Sequence, residues 1–165
     1  MIATAPGPIV RKAGRHDAAA LLGLIRALAA HEGFSSYVRT DEDTLRRHGF
    51  GERPAFAAFI AELDGAPVGF VSYTVQYSIW YGREYLHVDD VFVAAAARGA
   101  GVGKRLMAAV ARECLARGYA FARWTVETGN ARAIGFYRGL GAGVREKGVC
   151  TWTPEAMAAL ATGAA

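Results

Sequence analysis

The run Arg98-Gly99-Ala100-Gly101-Val102-Gly103-Lys104 has the residue types and spacing of an anion cradle. Closely spaced glycines let a backbone turn tightly and aim several N–H groups at one point. A helix predicted over 104–117 adds the positive end of its dipole there, and Arg98 and Lys104 add full charges. A diphosphate suits such a place; a loop that merely starts a helix is the plain alternative. No Ser or Thr follows Lys104, which excludes a Walker-type nucleotide loop. The run also lies too late in the chain, with the wrong spacing, for a dinucleotide-binding fold.

Other residues could act on a bound molecule. Asp89 and Asp90 are adjacent in an otherwise apolar strand pattern, where a carboxylate is costly without a partner. Neighbouring strand residues face opposite sides, so only one can enter a given pocket unless a bulge intervenes. Tyr137 carries a phenol beside Phe136, and Glu32 ends a helix, where the dipole disfavours negative charge. Trp80 and Tyr81 fall in a turn, as aromatics that line a cationic or aliphatic chain would. Each has an ordinary reading too: a core aromatic, a capping aspartate, a frayed helix end. The four histidines show no metal-ligand spacing, and no Ser or Cys nucleophile arrangement is present, so no metal is expected.

The elements that must position these groups follow from periodicity and turn signals. Residues 16–32 read as a helix with Asp17 as N-cap, Leu21, Leu24, Ile25 and Leu28 on one face, and Gly33 as its stop. A shorter helix begins at Thr40 and ends before Gly49. Residues 55–63 and 68–77 read as strands joined through Asp64-Gly65-Ala66-Pro67, and 85–93 as a third. After the glycine loop and its helix, 119–126 reads as a strand. Asn130 caps a short helix over 131–139, residues 144–152 read as a final pair of short strands, and Thr153-Pro154 starts a last helix. This order predicts an α/β (α+β) fold: a mixed, mostly antiparallel sheet of six to seven strands with helices on both faces.

The 165 residues suit one domain over 9–165 after a short flexible lead, 1–8. An apolar fraction of 53% with 21% charged residues is that of a folded globular chain, and no stretch is long enough to span a bilayer. Cys114 and Cys150 form no C-x-x-C pair and suit a reducing, cytoplasmic setting. Charge is unevenly divided. Residues 1–96 hold 9 basic against 11 acidic side chains, and 97–147 hold 10 against 3. A basic half around the glycine run suits an anionic cofactor, and an acidic half suits a cationic partner. The arginines stand singly, without a nucleic-acid module, so neither nucleic acid nor membrane is an expected partner.

Together these residues resemble the GNAT superfamily of N-acetyltransferases. Arg98-x-x-Gly101-x-Gly103 matches its pyrophosphate signature, and Asn130-x-x-Ala133-x-x-Phe136-Tyr137, followed by Gly141, matches its second hallmark. Residues 24–32, His48 to Pro54, Val68-Gly69-Phe70 and Leu86 to Val93 further resemble the diamine and polyamine (spermidine/spermine) acetyltransferase branch. Two departures touch the substrate. Asp89 stands where that branch has Glu, and Ser78 replaces its acidic residue ahead of Trp80.

The resemblance implies acetyl-CoA as cofactor and coenzyme A as product. It implies cofactor contacts from Phe92, Val93, Arg98 to Lys104 (Gly99, Ala100, Gly101, Val102 and Gly103 included), Asn130 and Tyr137. It further implies that Tyr137 protonates the departing thiolate and that Asp89 or Glu32 takes the amine proton. Glu32, Trp80, Tyr81, Asp89 and Asp90 would bind a small primary amine: a diamine, a polyamine or an amino-acid side chain. Direct attack in a ternary complex and a homodimer complete the expectation. A protein N-terminal or lysine acetyltransferase and a non-catalytic acyl-CoA sensor are the alternatives.

Overall fold

In the computed structural model, residues 7–163 are described; six residues of the expected lead, 1–6, lie outside them. The described chain falls into two compact units divided between Thr125 and Val126.

The first unit is built on one sheet of five strands in the order β1 (Ile9–Lys12), β2 (Ala57–Leu63), β3 (Ala66–Ser78), β4 (Arg83–Val93) and β5 (Ala122–Arg123). The first four strands pair antiparallel and β5 joins β4 in parallel. Alternate residues point to opposite faces and recruit different helices. Phe59, Ala61, Val71, Tyr73, Leu86 and Val88 pack on α3 (Val102–Arg117). Ala58, Ile60, Phe70 and Phe92 pack on α1 (Ala18–Glu32) and α2 (Glu42–Gly49). Helices therefore cover both faces, as the element order requires.

Among the described residues five strands replace the six to seven expected. The segment 119–126 contributes only Ala122–Arg123, because its ladder on β4 ends at the His87–Arg123 pair. Residues 144–152 form no strand: β propensity acts only where a neighbouring strand supplies hydrogen bonds, and Val149 and Trp152 stand 81% and 59% exposed. In compensation, β1 is a strand that the sequence pattern did not announce. Asp17 also departs from expectation. Its carboxylate accepts from Gly14 N–H and from both terminal nitrogens of Arg11 on β1, at 2.7–2.8 Å, and makes no cap bond to α1. The true cap of α2 is Asp41, which accepts from Thr44 N–H at 2.7 Å, one residue beyond the expected start.

The second unit holds α4 (Ala131–Gly139) and α5 (Pro154–Ala161). Asn130 caps α4 by accepting from Ala133 N–H at 3.0 Å, and Thr153 caps α5 by accepting from Ala156 N–H, with Pro154 in the first turn.

Candidate active site

The glycine run folds as a bare helix start. Gly101, at φ 78°, is the N-cap of α3 and brings no capping side chain. The first intrahelical bond runs from Arg105 N–H to Gly101 C=O, so the amides of Val102, Gly103 and Lys104 precede it and point outward from the helix. A Cβ added at Gly99 or Gly101 would meet nothing within 4 Å, so the space above the loop is open. Free amides, a helix dipole and open space together fit a diphosphate.

Arg98 is held beside that loop. Its Nε donates to Val93 C=O at 3.1 Å, and a terminal nitrogen donates to His31 Nε2 at 3.3 Å. The end of α1 thus lies against the start of α3, with Glu32 exposed next to His31. His31 therefore serves Arg98, a partnership that sequence separation concealed.

The edge of β4 next to the loop is open. Ala94 N–H donates to Val68 C=O on β3. Alternate residues of an antiparallel strand turn their backbone groups the same way, so Phe92 also faces β3 while Val91 and Val93 face outward. No strand among the described residues pairs with this edge after His87. Of the two residues expected to hold the cofactor arm, Val93 presents its backbone N–H to the gap; Phe92 does not, and its ring is buried against Phe70. Val91, absent from the sequence-based set, turns its backbone groups to the same gap.

The aspartate pair is resolved by a bulge. Ser72 pairs with Asp90 and Tyr73 with Val88, leaving Asp89 as the extra residue on β4. Leu86 and Val88 before it, and Val91 and Val93 after it, all face α3. His87, Asp89 and Asp90 consequently share the opposite face, and the alternation rule that would have separated the two carboxylates is broken at the one residue where it matters. Ser72 Oγ donates to Asp90 Oδ2 at 3.2 Å, and His87 Nε2 lies 3.8 Å from Asp89 Oδ1. Burial pushes both carboxyls above their ordinary value. For Asp89 the nearby His87 opposes this and the charge of Asp90 adds to it; for Asp90 the Ser72 bond opposes it. Such a pair attracts an ammonium group and is poised to accept a proton.

Trp80 and Tyr81 occupy the tip of the β3–β4 hairpin. Trp80 is 96% exposed, and Tyr81 sets its ring edge on Phe121 at 5.1 Å. In the second unit Tyr137 lies on α4, buried, and burial raises its phenol above the ordinary value. No group of three or more potential metal ligands occurs among the described residues, and no helix among them is long and apolar enough to cross a membrane.

The profile described as Acetyltransferase (GNAT) family matches residues 18–142. The chain belongs to the GNAT acetyltransferase family. It is an acyltransferase of that family, whose members use acetyl-CoA. Thialysine N-epsilon-acetyltransferase of Bos taurus is 36% identical over 142 residues, covering 81% of this chain and 83% of its own length. Spermidine/spermine N(1)-acetyltransferase-like protein 1 of Homo sapiens is 29% identical over 140 residues, 81% of this chain but 20% of its own length. Among solved structures, aminoglycoside N-acetyltransferase AAC(6')-Iy in complex with CoA shares the fold, with TM-score 0.74, 19% identity and coverage of 93% of this chain and 99% of that one.

Proposed function

We propose that this protein transfers the acetyl group of acetyl-CoA to a primary amine of a small molecule by direct attack in a ternary complex. The observation that carries this reading is the bulge in β4, which sets Asp89 and Asp90 on one face of the strand whose edge opens beside the glycine loop. The family match runs across the division at Thr125, which supports one catalytic domain over 9–165.

Acetyl-CoA supplies an activated thioester. The amides of Val102 to Lys104 and the guanidinium of Arg98 hold its diphosphate, and the outward groups of Val91 and Val93 hold its arm in strand-like fashion. Asp89 and Asp90 draw in the ammonium, and because their own charged forms are disfavoured by burial, Asp89 takes its proton directly or through water. Glu32 adds negative charge at the end of α1. The freed lone pair attacks the acetyl carbonyl, the C–S bond breaks, Tyr137 gives a proton to the sulfur, and the second proton leaving the nitrogen returns through water to the Tyr137 phenolate. A phenol raised by burial stays protonated at neutral pH, as this role demands. Asn130 holds the start of the helix that carries it. We assign Trp80 and Tyr81 to the substrate side, and the apolar surface at Val149 and Trp152 supports a homodimer. The free Cys114 and Cys150 suit the cytoplasm.

A thiol-release assay with acetyl-CoA and a panel of amines tests the reading. Turnover of small amines is expected, and Tyr137→Phe should lower kcat about a hundredfold or more while CoA binding persists. Turnover of peptides alone would move the acceptor to proteins. Tight CoA binding with no turnover of any amine would make the protein a sensor.

A further inference from the structure

The face of β4 that carries the aspartate pair continues toward the hairpin, and its character reverses along the way. Leu86 and Val88 face α3, so Tyr85, His87 and Asp89 line up on the other side. Neighbouring β5 places Phe121 and Arg123 beside them, with Arg123 in register with His87. Tyr85 stacks on Phe121 with ring centroids 4.7 Å apart, and its hydroxyl donates to Gln76. The guanidinium of Arg123 lies 5.0 Å from the centroid of each of these two rings. The cation thus rests on a fixed aromatic shelf. Among the described residues no carboxylate pairs with Arg123, as with most of the arginines, but Arg123 alone lies over two aromatic rings. A stacked guanidinium keeps its edge N–H groups for a planar bidentate acceptor, which a carboxylate is. One sheet face therefore has a negative end at Asp89 and Asp90, a positive end at Arg123, and His87 between them. At about 3.3 Å per residue the two ends lie on the order of 10 Å apart.

We propose that Arg123 anchors the carboxylate of the acceptor, which makes the acceptor an amino acid with a second amine at the far end of its side chain. The inference rests on the acetyltransferase reading above and sharpens it. The carboxylate docks on Arg123, and the extended aliphatic side chain passes His87 and delivers its terminal ammonium to Asp89 and Asp90. A diamine of the same length puts a second ammonium where Arg123 stands, and like charges discriminate against it.

Matched acceptors that differ only by the carboxylate test this: lysine against cadaverine, and ornithine against putrescine, each with acetyl-CoA. The wild-type protein should favour the amino acid of each pair in kcat/KM. In Arg123→Gln the amino-acid kcat/KM should fall about tenfold, mainly through KM, while the diamine value holds or rises. Arg123→Glu should invert the preference. Thermal melting and CoA titration of both variants run alongside. A wild-type preference for the diamines, unchanged ratios in the variants, or equal losses on both amine classes would overturn the assignment of Arg123 and leave the acetyltransferase reading standing. A wild-type protein that acetylates no amine would overturn both.

Discussion

Replacing Asp17 by asparagine probes how α1, which ends at the site, is tied to the sheet. Asp17 is nearly buried, with 5% of its side chain exposed, and Arg11 grips both of its oxygens. The Arg11 hydrogen bond, more than any other influence, lowers the Asp17 carboxyl from 3.8 to about 2. At about 1.4 kcal/mol per pH unit, a shift of this size corresponds to ~2 kcal/mol of native-state preference for the charged form. Solvent reaches Arg11, which is 36% exposed, so screening reduces the expected loss to about 1–2 kcal/mol. Arg11 keeps Glu62 as a partner in the variant, which spares the larger penalty of an unpaired cation. In a chain of this length that loss lowers the melting temperature by roughly 3–6 °C. The sign with pH follows from a depressed carboxyl. The contribution is complete above the unfolded value near 4 and disappears as pH falls toward about 2. Urea unfolding of both proteins from pH 7 down to pH 2.5 should show a constant gap that closes only below about pH 4. Equal stability at pH 7, or a gap unchanged at pH 2.5, would refute the assignment of the stabilisation to the charged pair.

Two further changes probe the positions that shape the cofactor side. In Gly101→Ala the new Cβ has open space, but φ 78° disfavours it by about 1–2 kcal/mol, so KM for acetyl-CoA should rise about tenfold and melting fall by at most roughly 3–6 °C, less where the loop relaxes. An unchanged KM would remove the loop from the cofactor site. Gly69→Ala acts through packing. Its Cβ would fall 2.7 Å from the Phe92 carbonyl oxygen and 3.3 Å from Val102, beneath the start of α3, and urea unfolding should show a loss of about 1–3 kcal/mol. A loss below about 0.5 kcal/mol would mean that the strand gives way freely there.

The local features of this protein were legible in the chain alone. The alternating and helical apolar patterns place β2, β3, β4, α1 and α3 close to their observed limits, because each pattern is a property of a short stretch of chain. The same holds for the caps Asn130 and Thr153, which bond only three residues ahead, and for the glycine run, which turns into its helix through two left-handed residues, Gly99 and Gly101. Tertiary structure decided everything that needed a distant partner. Residues 144–152 form no strand among the described residues, the ladder of 119–126 on β4 shrinks to Ala122–Arg123, and β1 existed only because β2 was there to pair with it. His31 found Arg98, 67 residues further along the chain, and Asp17 found Arg11 in place of its own helix. Above all, which way Asp89 and Asp90 face depends on one unpaired residue in the β3–β4 ladder. A bulge is a mismatch between two strands, and neither strand encodes it alone.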